Sequence, residues 1–162
     1  TLAGLDVVRT VYAGSDGYWA RVIDTFTNNT GAEIDLPVEY DTNLGSGGNG
    51  TLELRDNGAA AVTYDTSTGD PNFAQVIFTA GTNNMAPFDS TWDWRYDIAV
   101  PAGQSVSLAQ FWVLGDASVP AYSPMVEALV DQITTSVRTQ GQSSPFMEGV
   151  SAAQYGGLSN LN

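Results

Sequence analysis

The sequence contains no cysteine, no histidine and no lysine in 162 residues. Each absence removes a class of chemistry. Without Cys and His there is no Ser–His or Cys–His nucleophile, no thiolate redox centre, and no zinc, haem or iron–sulfur site built on those ligands. Without Lys there is no Schiff base, no pyridoxal attachment, no P-loop lysine and no Lys–Asn isopeptide weld. Positive charge is scarce too. Arg9, Arg21, Arg55, Arg95 and Arg138 are the only cations against 18 acidic residues, so the net charge is 5 − 18 = −13. An acidic chain with no basic stripe points away from nucleic acid and anionic lipid. No apolar run approaches the roughly 18 residues that would cross a bilayer, so no membrane insertion is expected. Starting at Thr1 instead of Met, the chain reads as a processed mature protein or an excised piece.

What is present is β-sheet patterning. Ile34, Leu36, Val38 and Tyr40 alternate with Glu33, Asp35, Pro37 and Glu39, as in a half-buried antiparallel strand. Pro37 has no amide to donate, which places that strand at or near a sheet edge. Trp92, Trp94, Tyr96, Ile98 and Val100 repeat the pattern, and Val106, Leu108 and Trp112 continue it after Pro101-Ala102-Gly103, a turn of hairpin length. Further strands are expected over Val7–Ala13, Tyr18–Phe26, Thr51–Arg55, Ala59–Tyr64 and Phe73–Thr79, the last apolar on both sides and so central. From Ser123-Pro124 the period changes. Met125, Val126, Leu129, Val130, Ile133 and Val137 form the stripe of one amphipathic helix ending before Gly141, and a short helical turn is expected near Ser151–Gln154. The fold class is therefore mainly β: an antiparallel β-sandwich of about eight strands over residues 1–115. A C-terminal helix and a Gly/Ser/Asn-rich tail over 116–162 pack on the same domain.

Three features are chemical candidates. Asp41 and Asn43 open a loop rich in Gly and Asn, and Asp65 and Asp70 flank a second oxygen-rich loop. Both read first as turns, with calcium as the alternative ligand; the EF-hand spacing fails because its third ligand position is Gly45. Trp92, Trp94 and Tyr96 share one strand face. Exposed, they would stack on sugar rings; turned inward, they would fill the core, which the continuation into Ile98 and Val100 favours. Glycoside hydrolysis needs only two carboxylates, but nothing in the sequence pairs two of them. The sequons Asn28-Asn29-Thr30 and Asn49-Gly50-Thr51 matter only in a glycosylating host.

Thr27-Asn28-Asn29-Thr30-Gly31, Asn43-Leu44-Gly45-Ser46, Val62-Thr63-Tyr64-Asp65, Gly69-Asp70-Pro71, Trp94-Arg95-Tyr96 and Val100-Pro101-Ala102-Gly103-Gln104-Ser105-Val106 occur in an order that resembles a module recurring in large secreted and cell-surface bacterial proteins. The resemblance spans residues 18–115. At Ser46-Gly47-Gly48-Asn49 the chain lacks the aspartate expected beside the serine, which counts against calcium. The resemblance implies a β-sandwich-like building block without catalysis and carries over no catalytic residue. Low charge density, abundant Gly, Thr, Ser and Asn, and Asp in excess of Glu agree with an extracellular or cell-surface location. The functional expectation is a non-enzymatic structural or adhesive domain, such as a surface or filament subunit. It would associate with itself or with other surface proteins by edge-strand pairing, with Leu5–Ala13 as donor and the Pro37 strand as complementary edge. The alternative is a carbohydrate-binding module using Trp92, Trp94 and Tyr96. No cofactor is required, and calcium is optional.

Overall fold

A computed structural model describes residues 2–43, 51–64, 72–78, 91–115 and 124–161. Eight strands follow in chain order: β1 (Asp6–Ala13), β2 (Trp19–Thr27), β3 (Ile34–Asn43), β4 (Thr51–Arg55), β5 (Ala60–Tyr64), β6 (Phe73–Val76), β7 (Thr91–Val100) and β8 (Ser105–Leu114). Helices α1 (Pro124–Gln140) and α2 (Ala152–Gly156) come after them. The strands form a six-stranded antiparallel sheet in the order β1-β2-β8-β6-β5-β4 and a two-stranded sheet of β3 and β7. This is the expected mainly-β sandwich with a helix near the C-terminus.

Strand alternation gives the larger sheet two unlike faces. Ile23, Ala60, Val62, Ala74, Val76, Ala109, Phe111 and Val113 pack under Val126, Val130, Ile133 and Val137 of α1. The alanines on β5, β6 and β8 keep that floor low enough for the helix to approach. On the opposite face, Phe26 and Leu108 meet Val38, Ile98 and Val100 of the small sheet, while Ala61 and Ile77 meet Trp94.

Two details depart from the sequence reading. Pro101-Ala102-Gly103 does not close a hairpin: β7 and β8 lie in different sheets. Asn28, fully buried, explains the switch. Its side-chain amide donates to the carbonyls of Ala32 and Val100 at 2.8 Å each, and its backbone bonds Gln104 and Gly103. The two crossings between sheets, β2 to β3 and β7 to β8, are thereby locked side by side. β6 is central as expected but is not apolar on both faces, because Gln75 projects toward the small sheet. Thr79 and Ser123 lie outside the described residues.

The C-terminal tail substitutes for a strand. β6 pairs with β8 only from Phe111 to Leu114, leaving the edge beside Ser107–Ala109 free. The tail fills it: Ser107 N–H donates to the Gly157 carbonyl at 2.7 Å, and Ser159 N–H to the Ser107 carbonyl at 3.0 Å. The buried Asn160 side chain accepts from Ala109 N–H and donates to the carbonyls of Ala109 and Ile77. α2 is held by a capping box of Ser151 and Gln154.

Candidate functional site

The sandwich is asymmetric, and its strand edges differ because of that. The small sheet covers only part of the larger one, so the β1 side is open. β1 pairs with β2 along its full length, Asp6 opposite Thr27 through Ala13 opposite Ala20, and its other edge faces out. Gly14 N–H bonds the Trp19 carbonyl at 2.8 Å. Since backbone groups alternate sides along a strand, Asp6, Val8, Thr10 and Tyr12 bond to β2, and the N–H and C=O of Val7, Arg9, Val11 and Ala13 point outward. Beside this row, Val7, Val8 and Val11 are 42%, 61% and 62% exposed.

This edge is held in place from both faces. On the sandwich side Arg9 grips the buried Asp24 carboxylate with two bonds of 2.7 Å, and the Tyr40 hydroxyl of β3 donates to the same carboxylate at 2.7 Å. The Asp24 bond raises the Arg9 pKa further. Burial, then the bond to Asp24, pushes the Tyr40 phenol far above its ordinary value, so it stays a donor at every working pH. On the helix side the Tyr12 hydroxyl donates to Glu148 at 2.7 Å, and the Arg21 guanidinium sits 4.9 Å from the Tyr12 ring. Arg21 also donates to the carbonyls of Phe146 and Glu148. Burial lowers its pKa, but an arginine keeps its proton.

The other edges among the described residues are guarded, β7 (the second strand of the small sheet, with β3 on one side only) by Asp93, Arg95 and Asp97. β3 carries Pro37, opposite Asp97, together with Asp35, Glu39 and Asp41. β4 is only five residues long and contains Glu53 and Arg55. Proline, charge and shortness are the usual protections of a sheet edge. The Pro37 strand is an edge as expected, but these features make it a poor receiver of another strand.

The sequence candidates are distributed differently from the expectation. Trp94 is 1% exposed, stacks on Tyr40 at 4.2 Å and donates to Gln75 at 3.2 Å. Tyr96 packs edge-on against Trp94 and donates to the Ile77 carbonyl at 2.8 Å. Trp94 and Tyr96 therefore belong to the sandwich interior, and no sugar-stacking stripe is built from them: the small sheet turns this strand face onto the larger one. The Trp92 side chain lies outside the described residues. Asp41 is exposed and faces Asp93 across the β3–β7 ladder. The Asp93 pKa is raised, by burial first and then by Asp41 and Glu39. The Asn43 side chain, Asp65 and Asp70 lie outside the described residues, among which no group of three or more acidic residues converges as a metal site would require.

Sequence reasoning missed a buried polar seam. Gln75 and Gln110 bond each other, Trp94 donates to Gln75, and Trp112 donates to Gln110 at 3.2 Å. With Asp24 these residues occupy inward positions. The signal was available: Asp24 falls between Val22 and Phe26 on the apolar side of its own strand, where a charge demands a partner.

No family model and no curated relative matches the chain. Among solved structures, it is similar to a protein described as a kojibiose phosphorylase from human microbiome. The identity is 8% and the TM-score 0.60, covering 80% of this chain and 18% of that one. It also aligns with a protein described as an aldose 1-epimerase from Klebsiella pneumoniae subsp. pneumoniae. There the identity is 12% and the TM-score 0.46, over 83% of this chain and 52% of the other. The chain thus spans about a fifth of the first and half of the second. The first likeness concerns the fold: an antiparallel β-sandwich that also occurs as a small part of a much longer protein.

Proposed function

We propose that this chain is a non-enzymatic β-sandwich module of the cell exterior whose work is association, with the outer edge of β1 as its docking strand. The observation that carries this is the contrast between edges. β1 presents eight extended residues, three exposed valines and no proline, and is pinned by Arg9–Asp24 and Tyr12–Glu148. An ordered edge of this kind receives another strand by main-chain hydrogen bonding without first having to be ordered itself. The non-enzymatic part rests on the sequence, which has no His, Cys or Lys to serve as nucleophile or base. The exterior location rests on composition. Calcium is not needed for the docking.

The test uses a labelled peptide with the sequence of residues 5–14 and fluorescence polarisation. Binding to the wild type and loss of binding in Val11→Pro is the expected result. That substitution removes one outward amide while leaving the bonds to β2 intact. A peptide that binds neither protein, or both equally, ends the proposal.

Among the described residues, a glycan reading has its support at a different place. A cleft of about 200 Å³ is lined by Tyr18, Trp19, Phe73, Trp112 and Leu114, with Tyr18 38% exposed. Aromatic faces of this kind suit sugar rings. A change in tryptophan fluorescence with oligosaccharides, lost in Tyr18→Ala, would support it; an unchanged spectrum across a broad panel would remove it.

A further inference from the structure

We infer that the strand received by β1 is the β1 of a second copy, antiparallel across a two-fold axis at Thr10, so that two six-stranded sheets become continuous. This rests on the docking role proposed for β1 and names its partner. For side chains on the same face of a joined sheet to lie opposite one another, the paired residue numbers must sum to an even value. Two registers pair seven of the eight strand residues, one centred on Arg9 and one centred on Thr10, against five for those centred on Val8 or Val11.

Three observations select Thr10. The first is charge. Centring on Arg9 sets two guanidinium groups directly opposite, a destabilising arrangement. Centring on Thr10 sets Arg9 against Val11, so no two guanidinium groups stand directly opposite. The second is hydrogen bonding. Both registers pair residues whose backbone groups point outward, but the Thr10 register gives four such pairs (Val7 with Ala13 and Arg9 with Val11, each twice by symmetry), whereas the Arg9 register gives three within the strand (Arg9 with itself, and Val7 with Val11 twice). The third is space. Leu2 and Leu5 bond each other at 2.9 Å in both directions, around Ala3 and Gly4, which have φ of 50° and 93°. By the same alternation the backbone N–H and C=O of Leu5 point to the outer edge, where Leu2 occupies them, while the Leu5 side chain is buried. The Arg9 register would need Ala13 of the partner copy at that place, whereas the Thr10 register begins beyond it, at Val7. In this register Val8 also lies opposite Tyr12 on the helix side. The joined strands are short, so the dimer is weak and depends on concentration. Each copy carries −13, so added salt strengthens it by screening.

The chain has no cysteine, so one introduced thiol reports the contact cleanly. At the axis Thr10 forms a non-hydrogen-bonded pair with itself, at a Cα separation of about 4.5 Å, close enough for a disulfide. The full-length Thr10→Cys protein, oxidised by glutathione, is expected to form a covalent dimer about tenfold or more faster than Thr139→Cys, an exposed helix position serving as control. Sedimentation of the wild type should show a monomer–dimer equilibrium that Val11→Pro abolishes. Cross-linking no faster than the control overturns the proposal, even if a dimer sediments, because the register is then wrong. A wild type that stays monomeric while binding the residue 5–14 peptide overturns the dimer and leaves the docking role standing. A monomer that binds no peptide removes both.

Discussion

The two faces of the six-stranded sheet are covered in different ways. The helix-side face is apolar and sealed by long-range ring and aliphatic contacts: Phe111 lies near Trp19, Phe78 and Phe146 and under α1. The sandwich-side face is divided by polar residues, Asp24, Gln75 and Gln110, whose partners sit partly on the small sheet. Burying area is non-directional and tolerates sliding, whereas a buried hydrogen bond is satisfied in one arrangement only. The helix face therefore supplies most of the stability, and the sandwich face sets how the small sheet lies on the large one.

Predictions that separate these roles range from large to small. Phe111→Ala removes the ring at the centre of the sealed face and should cost about 3–5 kcal/mol, read as a lowered urea midpoint; a loss under half of that would mean that this face is not the main source of stability. Asp24→Asn weakens the grip of Arg9 and should cost about 1.5–3 kcal/mol. Its distinctive sign is faster hydrogen exchange at Val8 and Thr10, which bond to β2, ahead of global unfolding; exchange unchanged at those amides would show that Arg9–Asp24 does not hold β1.

Asp93→Asn should gain about 0.2–1 kcal/mol at neutral pH by relieving a like-charge cross-strand pair. Its pH dependence follows from the raised Asp93 pKa. A carboxyl above its ordinary 3.8 in the folded state binds more protons folded than unfolded, so its contribution is most favourable at low pH and is lost as pH rises through the folded value. The advantage of Asp93→Asn should therefore appear above about pH 4 and vanish below it. Equal stabilities at all pH values would show that Asp41 and Asp93 do not oppose each other.

The strands and α1 were legible because their apolar residues recur at periods of two and 3.6, which depend only on local geometry. The reading of Ile34–Tyr40 as a strand with one buried face agrees with the structure, where Val38 is 6% exposed beside the exposed Glu39. The hairpin after Val100 was misread because a turn sequence specifies a reversal of direction, not the sheet that the chain enters next. Asn28, which directs that crossing, lies 72 residues from Val100. The alternative sugar-stacking role of Trp94 fell for a similar reason: alternation shows that an aromatic row shares a face, but not what lies above it.

By itself the sequence determined the exclusions, the mainly-β class, the amphipathic helix and the absence of His, Cys and Lys chemistry, because composition and short-range periodicity are properties of the chain alone. Only the tertiary structure decided which edge stays open. β1, β3, β4 and β7 all become edges, yet β1 alone of these combines length, exposed valines and an anchor on each face. That outcome depends on Asp24, Tyr40 and Glu148 arriving from distant parts of the chain, and a local pattern carries no record of what arrives beside it.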